Sequence, residues 1–234
     1  MNWSEYTEHT LPILSIILII CVIGIIYSYY TSSNTTHVYG DYKVVEIPNI
    51  LTHAECDELI AFSKGGMSDS DVLSYGTESP RQMDTSHRKS KHGWFSDMDH
   101  RVIEKIAKYT QKISGLPIEN QEMIQVVSYD VGGKFNAHYD ACIYEDKTFC
   151  NKMNKKAGER KMTLIIYLND DFEGGETEFT DLKLKIKPVK GKGLLFHNTD
   201  DNQVILKKSI HKGHEVLKGE KWICTKWVHF GKWE

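Results

Sequence analysis

The chain has 234 residues, enough for one large domain or two small ones, and its 40% apolar and 26% charged content is ordinary for a globular protein. Its formal net charge is only −3, and its one short basic run, KKAGERK at 155–161, is typical of a solvated loop. The composition therefore predicts a chain that buries a sizeable core and argues against a nucleic-acid partner.

The first element along the chain is an uncharged run rich in Ile and Leu, LPILSIILIICVIGIIYSYY at 11–30. Twenty helical residues rise about 30 Å, the thickness of the hydrocarbon core of a bilayer. The alternatives are a buried central helix, which the position near the terminus disfavours, and a cleaved signal peptide, whose basic start and small-residue cleavage pattern are poorly matched. The sequence predicts an N-terminal tail at 1–10, an uncleaved transmembrane anchor at 11–30 and therefore a membrane partner.

The side of the membrane is not decided by charge, because long folded domains translocate largely regardless of flanking Lys residues. Asn34 begins an acceptor pattern for glycosylation, NTT, but it lies too near the predicted membrane to decide the side. Cys142 and Cys150 flank a polar stretch and would form a disulfide in an oxidising lumen, or stay reduced elsewhere. We expect an endoplasmic reticulum protein with its folded domain in the lumen. No C-x-x-C pair occurs, so a structural zinc site is not expected.

After a polar linker at 31–41, two helices are predicted before any strand-rich segment. The first runs from Thr52, a residue suited to a helix N-cap, to Ser63. The second lies within DMDHRVIEKIAKYTQKISG, has apolar residues at helical spacing, and ends at Gly115 with Pro117 beyond it.

From Glu122 onward, short β-rich runs alternate with glycine-containing turns at the spacing of antiparallel sheets. This texture predicts an α+β, mainly β domain at 42–234, with a two-sheet sandwich or jelly-roll core and supporting N-terminal helices.

Candidate metal ligands occur in the stretch KFNAHYDACIY, where His138 and Asp140 are two residues apart. On a strand such residues share a face, so both could reach one ion. A 2-His-1-carboxylate iron(II) site needs a second histidine from a distant strand. The candidates in the C-terminal half are His197, His211, His214 and His229. Lys221 follows His211 by ten residues, a spacing that can bring a cation to the same cavity, as a dicarboxylate ligand would require.

Four blocks together resemble the catalytic domain of the prolyl 4-hydroxylase family, within the Fe(II)- and 2-oxoglutarate-dependent dioxygenases. They are YDVGGKFNAHYD, RKMTLIIYLNDDFEGGETEF, IKPVKGKGLLFHN and SIHKGHEVLKGEKWICTKWVHF. The resemblance covers about Tyr42 to the C terminus and is strongest from Ile124. It implies a double-stranded β-helix, also called a jelly roll, as the core.

The resemblance also implies roles for individual residues in the site. The iron ligands and catalytic residues would be His138, Asp140 and His211, with Lys221 pairing with the distal carboxylate of 2-oxoglutarate and Tyr129 and Thr177 supporting that carboxylate through their hydroxyl groups. His214 remains an alternative to His211, and His197 is expected to pack near the site or support a ligand.

On the substrate side, the resemblance marks Arg160, Trp227 and His229 as residues that contact a proline-rich peptide. Trp227 and His229 are two apart on one predicted strand and are expected to face the same way. A polyproline II peptide is stiff and poor in hydrogen-bond donors, so aromatic faces suit it. Phe135 replaces the Tyr that the family commonly has three residues before the iron histidine. Arg88 matches the family less closely and stays outside the main set.

The implied reaction is oxidative decarboxylation of 2-oxoglutarate coupled to hydroxylation of a peptidyl proline at C4. It would require Fe(II), 2-oxoglutarate as cosubstrate, O2 and L-ascorbate. One alternative is a 2-oxoglutarate oxygenase acting on another residue, such as a lysine, or on a free amino acid. Another is a non-catalytic membrane-tethered binding module, which has no chemical reason to keep both the iron ligands and Lys221.

Overall fold

The computed structural model describes residues 20–21, 37–39, 44–73, 81–82, 86–143 and 147–233. The chain divides into two units, Met1–Thr36 and His37–Glu234, and the second is the one described below. The predicted tail and anchor lie outside the described residues, apart from Ile20 and Cys21, which are helical. Within the described ranges, no helix is both long and apolar enough to cross a bilayer.

The first helix, α1 (His53–Ser63), confirms the prediction for Thr52 to Ser63. The Thr52 hydroxyl oxygen accepts a hydrogen bond from the backbone N–H of Glu55, and the Glu55 carboxylate accepts one from the backbone N–H of Thr52 at 2.8 Å. This reciprocal capping satisfies two backbone donors that would otherwise lack partners at the helix start.

The second helix, α2 (Arg101–Ser114), also agrees with the sequence pattern. The ring nitrogen Nδ1 of His100 accepts from the backbone N–H of Val102 and caps the helix start. Gly115 ends the helix with φ = 69°, a left-handed conformation that glycine adopts without steric cost.

A third helix, α3 (Lys147–Asn154), was not predicted. It spans only eight residues, KTFCNKMN, little more than two turns, which is too short for apolar periodicity to identify a helix. Short 3₁₀ turns occupy Lys64–Gly66, Ile118–Asn120, Lys155–Ala157 and Lys207–Ser209.

The strands of the first half are β1 (His37–Tyr39), β2 (Val44–Ile47), β3 (Ser68–Asp69), β4 (Val72–Leu73), β5 (Arg81–Gln82), β6 (Arg88–Lys89), β7 (Lys91–Phe95) and β8 (Ile124–Tyr129). Those of the second half are β9 (Lys134–His138), β10 (Arg160–Tyr167), β11 (Glu173–Gly174), β12 (Thr177–Phe179), β13 (Leu184–Ile186), β14 (Gly193–His197), β15 (His211–Gly213), β16 (Val216–Lys218) and β17 (Lys221–His229). The prediction of a mainly β domain with supporting helices is confirmed.

Two antiparallel sheets carry most of these strands. The large sheet has the order β1-β2-β14-β10-β17-β8-β7-β3, and the smaller one has the order β13-β12-β15-β9-β6. Pairs β11-β16 and β4-β5 are separate. Strand β1 pairs with β2, so His37–Tyr39 belongs to the large sheet, although the sequence predicts a linker at 31–41. The three residues of β1, HVY, are too few for a sequence pattern to distinguish an edge strand from a linker.

The large sheet separates two hydrophobic cores. One cluster joins its outer face to α1 and α2 and includes Leu59, Ile103 and Leu164, while the other joins its inner face to the smaller sheet and includes Ile165 and Phe179. Neighbouring residues on one strand fall into opposite clusters because strand side chains alternate between faces. The candidate site lies between the two sheets, with Lys221 and Tyr129 on the inner face of the large sheet and His138 and His211 on the smaller sheet.

Candidate active site

The two predicted histidine ligands meet through strand register. Strand β15 pairs antiparallel with β9 and sets His211 directly opposite His138. Asp140, by contrast, lies two residues beyond the end of β9, since β15 begins opposite His138 and offers no partner further along. The expectation that His138 and Asp140 share one strand face is therefore wrong in its geometry, although the two side chains do converge.

The three side chains point one ligand atom each at a common place. Oδ1 of Asp140 lies 3.6 Å from Nε2 of His138 and 4.0 Å from Nε2 of His211. The ligand atoms of all three residues lie within 4.8 Å of one another. The His214 alternative is elsewhere, with its Nε2 only 2.6 Å from a carboxylate oxygen of Glu178.

Hydrogen bonds fix which ring nitrogen of each histidine faces this place. Nδ1 of His138 lies 2.8 Å from the carbonyl oxygen of Asn136, and Nδ1 of His211 lies 2.9 Å from that of Ser209. A carbonyl oxygen can only accept, so each Nδ1 carries a proton, and Nε2 is the ring nitrogen that faces the common place.

The protonation states also suit a cation. Burial and the nearby His211 lower the pKa of His138, so its imidazole is neutral at physiological pH. Burial alone would raise the pKa of Asp140, but the imidazoles, the Arg160 guanidinium and a hydrogen bond from Thr163 lower it instead. Two neutral imidazole nitrogens and one carboxylate oxygen form the donor set of non-haem Fe(II) sites. These residues therefore fit an Fe(II) ion.

Lys221 begins β17 on the inner face of the large sheet and is only 3% exposed. Its ammonium nitrogen donates to the carbonyl oxygen of Gly175 at 2.7 Å, and it has no carboxylate within ion-pair distance in the part of the chain that the structure describes. Burial lowers its pKa to about 8, against the opposing effect of the Glu176 carboxylate. A buried cation without an ion-pair partner favours binding of an anion.

Tyr129 and Thr177 lie beside Lys221, as predicted for groups that serve the same ligand. Tyr129 is the cross-strand partner of Lys221, and the Lys221 ammonium lies 5.2 Å from its ring centre. The Thr177 hydroxyl oxygen accepts a hydrogen bond from the Tyr167 hydroxyl at 2.8 Å, which leaves the Thr177 proton free to be donated. Tyr167 was not predicted as a site residue. It lies two residues after Ile165 on β10, so both side chains share the inner face.

One cavity of about 990 Å³ contains most of the predicted site. Its lining includes the three candidate metal ligands and the side chains of Lys221, Tyr129, Thr177, Arg160 and Trp227. His229 is not part of that lining.

Arg160 is held in place on several sides. Its guanidinium donates to both carboxylate oxygens of Glu122, at 2.5 and 3.0 Å, and to the carbonyl oxygen of Asp140 at 3.1 Å. It also lies 4.1 Å from the ring centre of Trp227, within cation–π distance. Glu122 was not predicted as a site residue, because nothing in its local sequence indicates that it meets Arg160 across the sheet.

His229 shares the strand face of Trp227 but is completely buried behind the cavity. Its Nε2 lies 2.9 Å from a Glu122 carboxylate oxygen, its Nδ1 lies 2.7 Å from the Gly158 carbonyl oxygen, and the Trp233 ring stacks on it at 4.5 Å. These neighbours cover the ring, so the expected direct exposure of His229 to the cavity is not observed.

Phe135 stacks on the candidate ligand His138, with ring centres 3.6 Å apart. The Arg88 guanidinium lies over the same phenyl ring, 4.6 Å from its centre. Arg88 is buried and lines the cavity. It therefore lies at the candidate site, although its segment matches the family less closely than the other motifs do. The phenyl ring thus separates a permanent cation from the imidazole of a candidate metal ligand.

The disulfide that the sequence left open is present between Cys142 and Cys150. It joins the segment just after Asp140 to α3. Cys142 and Phe149, together with Lys152 of α3, line the cavity. The cross-link therefore fixes one wall of the candidate site.

Comparison with known proteins identifies the family. The model of the 2OG-Fe(II) oxygenase superfamily matches residues 124–229. A relative from Acanthamoeba polyphaga mimivirus is 33% identical over 180 residues, which cover 76% of this chain and 71% of that protein. Prolyl 4-hydroxylase 5 of Arabidopsis thaliana is 32% identical over 207 residues, or 80% of this chain and 68% of its own length. The chain belongs to the prolyl 4-hydroxylase family.

A solved structure of this family is also similar in fold. The viral collagen prolyl hydroxylase of Paramecium bursaria Chlorella virus-1, determined as a complex with 2-oxoglutarate (2OG), aligns with a TM-score of 0.64 and 31% identity. The alignment covers 81% of this chain and 97% of that one. The chain is thus a prolyl 4-hydroxylase-like 2OG-Fe(II) oxygenase over most of its length.

Proposed function

We propose that the protein hydroxylates peptidyl proline at C4, using Fe(II), 2-oxoglutarate and O2. The observation that carries this proposal is the meeting, in one cavity, of two imidazoles and the Asp140 carboxylate with the buried ammonium of Lys221, which has no carboxylate partner among the described residues. Family membership supports the same reaction class.

In this proposal, His138, Asp140 and His211 hold the iron through Nε2, Oδ1 and Nε2. The bound metal would supply O2 activation driven by decarboxylation of 2-oxoglutarate. The protein's own task is to present three ligand atoms from one side and leave the other side for cosubstrate and oxygen.

Lys221 binds the distal carboxylate of 2-oxoglutarate, with the hydroxyls of Tyr129 and Thr177 as further donors. Burial excludes water from this end of the cavity and strengthens the charge-assisted hydrogen bonds. The fixed position of the ammonium relative to the metal ligands selects a diacid of one length.

The peptide lies against Arg160 and Trp227, whose stacked faces suit a proline ring. His229 acts indirectly here, since it bonds to the same Glu122 carboxylate that orients Arg160. Glu122 and His229 are therefore positioning residues for Arg160.

The further parts of the proposal concern architecture and location. The two antiparallel sheets are assigned to a double-stranded β-helix, and the run at 11–30 to a single-pass anchor that holds the domain in the lumen of the endoplasmic reticulum. The Cys142–Cys150 disulfide supports an oxidising compartment. L-ascorbate is proposed to restore the enzyme after turnovers uncoupled from peptide.

The test is 2-oxoglutarate decarboxylation by the detergent-purified full chain with Fe(II) and a panel of proline-rich and lysine-bearing peptides. We expect stimulation by proline-rich peptides and a product mass gain of one oxygen on proline. Oxidation confined to lysine would establish a different target, and no decarboxylation with any peptide would contradict the enzyme proposal. His138→Ala serves as the inactive control.

A further inference from the structure

The second carboxylate oxygen of Asp140 has its own partner. Oδ2 accepts a hydrogen bond from the Thr163 hydroxyl at 2.6 Å, and the Thr163 oxygen in turn lies 2.8 Å from Nδ2 of Asn198. Thr163 and Asn198 are both fully buried. Thr163 lies on the inner face of β10, and Asn198 directly follows β14, the neighbouring strand.

The chemistry of these groups sets the direction of both hydrogen bonds. An ionised carboxylate can only accept, so Thr163 must give its single hydroxyl proton to Asp140. The Thr163 oxygen can then only accept, so Asn198 must present its NH2 group. Only this direction satisfies both contacts.

This orientation has a cost that packing alone does not explain. With its NH2 group on Thr163, Asn198 directs its side-chain oxygen into the protein, where it has no hydrogen-bond partner among the described residues. The backbone of Asn198 is fixed by bonds to Lys161 and Leu206, so the side chain has little freedom to turn that oxygen elsewhere. An apolar residue of the same size would avoid this unsatisfied oxygen.

We propose that Asn198 and Thr163 form a relay that occupies Oδ2 and selects Oδ1 of Asp140 as the single metal-binding oxygen. Both are positioning residues, and the inference rests on the proposed function because it assumes that the site binds a divalent metal. A carboxylate can bind a metal through one oxygen or two. With Oδ2 engaged by Thr163, it contributes one, which leaves a further coordination position for other ligands.

The test is anaerobic titration of the full-length protein with Co(II), whose visible absorption reports both affinity and coordination number. We expect Thr163→Val, which keeps the side-chain volume and removes the donor, to raise the Kd for Co(II) about 10- to 100-fold and to change the absorption band. Thr163→Ser, which keeps the hydroxyl, should retain the wild-type affinity and spectrum.

Asn198→Leu provides a second, independent variant, because it removes the unsatisfied oxygen along with the donor. It should fold and raise the Kd for Co(II), but less than Thr163→Val does. In the Thr163→Val background the same change should have no further effect on Kd, since the relay acts only through Thr163. Thr110→Val is the matched control: Thr110 is equally buried, lies on α2 and has no hydrogen-bond partner for its hydroxyl in the described structure.

The outcomes distinguish a failure of the proposed metal site from a failure of the relay alone. Wild-type protein that fails to bind Co(II) would overturn the proposed metal site and the relay with it. Wild-type protein that binds Co(II), together with Thr163→Val of unchanged affinity and spectrum, would overturn the relay alone. An equal effect of Asn198→Leu in both backgrounds would also overturn it, because that result denotes a general effect on packing.

Discussion

Lys221 lies buried at the start of β17, and its ammonium group donates to the carbonyl oxygen of Gly175. A hydrogen bond between charged groups typically contributes about 1.5–3 kcal/mol. We expect Lys221→Met to raise the KM for 2-oxoglutarate about 10- to 150-fold, while metal affinity stays close to that of the wild type. Decarboxylation kinetics at saturating peptide measure this KM.

Lys226 offers a matched control for that substitution. It lies on the same strand but on the opposite face, is 1% exposed, and pairs with Asp97 at 2.5 Å. Lys226→Met should lower the stability of the protein, since it leaves Asp97 unpaired, but should not change the KM for 2-oxoglutarate. A Lys221→Met variant with wild-type KM would contradict the assigned role of Lys221.

The lowered pKa of Lys221 predicts how cosubstrate binding depends on pH. Only the protonated ammonium attracts a carboxylate, and its pKa is about 8. The KM for 2-oxoglutarate should therefore be constant at lower pH and rise as pH passes about 8, by about tenfold per pH unit. Of the neighbouring groups, Glu176 opposes the loss of the proton, and burial raises the pKa of Tyr129, which keeps its phenol neutral through this range.

The measurement is the KM for 2-oxoglutarate from about pH 7 to about pH 9.5 in the wild type and in Lys221→Arg. Arginine stays charged throughout, so its profile should be flat on the alkaline side. An alkaline rise of equal size in both proteins would assign the pH dependence to another group.

At the scale of elements, α3 and the segment before it form a cross-linked wall of the cavity. The Cys142–Cys150 disulfide joins them, and Phe149 lines the cavity beside it. This wall lines the same cavity as the candidate metal ligands, whereas Lys221 and Thr177 lie on strands β17 and β12. We expect replacement of both cysteines by Ala to raise the KM for peptide about tenfold, because one or two side chains must then be ordered on binding. The KM for 2-oxoglutarate should be unchanged.

Reduction provides the control for this element. A reductant should raise the peptide KM of the wild type toward that of the double variant and should leave the double variant unaffected. Equal changes in both KM values would indicate that the disulfide supports the whole fold and not this wall.

The difference between predicted and observed elements has a physical cause. Helices α1 and α2 were predicted from capping residues and apolar periodicity, which are signals within the local sequence. Helix α3 spans only eight residues, too few for a repeated apolar pattern to identify it. For the same reason, the edge strand β1 was predicted as part of a linker.

At the scale of the whole molecule, the outer face of the large sheet packs against the helices, and its inner face carries both the second hydrophobic cluster and the residues that line the cavity. Along β17, Trp222 and Cys224 face the helices, whereas Lys221 and Trp227 line the cavity. Because strand side chains alternate between faces, one set on β17 packs under the helices, whereas the other set, which includes Ile223 of the second cluster, faces the cavity. The helices stabilise the sheet from the side that substrates do not reach.

The same organisation explains which site residues the sequence could reveal. His138, Asp140, His211 and Lys221 lie in recognisable motifs, so they were predicted. Glu122 bonds to Arg160, and Thr163 and Asn198 connect to Asp140, through contacts that depend on the register of β10 with β14 and β17. Strand register depends on the hydrophobic patterns of both paired strands and on the turns between them, so the sequence around one residue does not show its cross-strand neighbour.

Binding of metal and cosubstrate should stabilise the folded domain in a fixed order. A ligand that binds only the folded state stabilises it by about 2.7 kcal/mol at a hundredfold excess over its Kd. For a domain of this size, that corresponds to a rise in Tm of about 5–10 °C. Mn(II) alone should therefore raise Tm, and 2-oxoglutarate should raise it further only when metal is present, because the metal supplies one end of its binding site.

Differential scanning fluorimetry of the full chain with Mn(II), 2-oxoglutarate, both, or both with EDTA measures this order. His211→Ala should abolish both shifts relative to the metal-free Tm of the same variant, since it removes one of the three candidate ligands. A full 2-oxoglutarate shift in EDTA would contradict metal-dependent seating and leave Lys221 as the main determinant of binding.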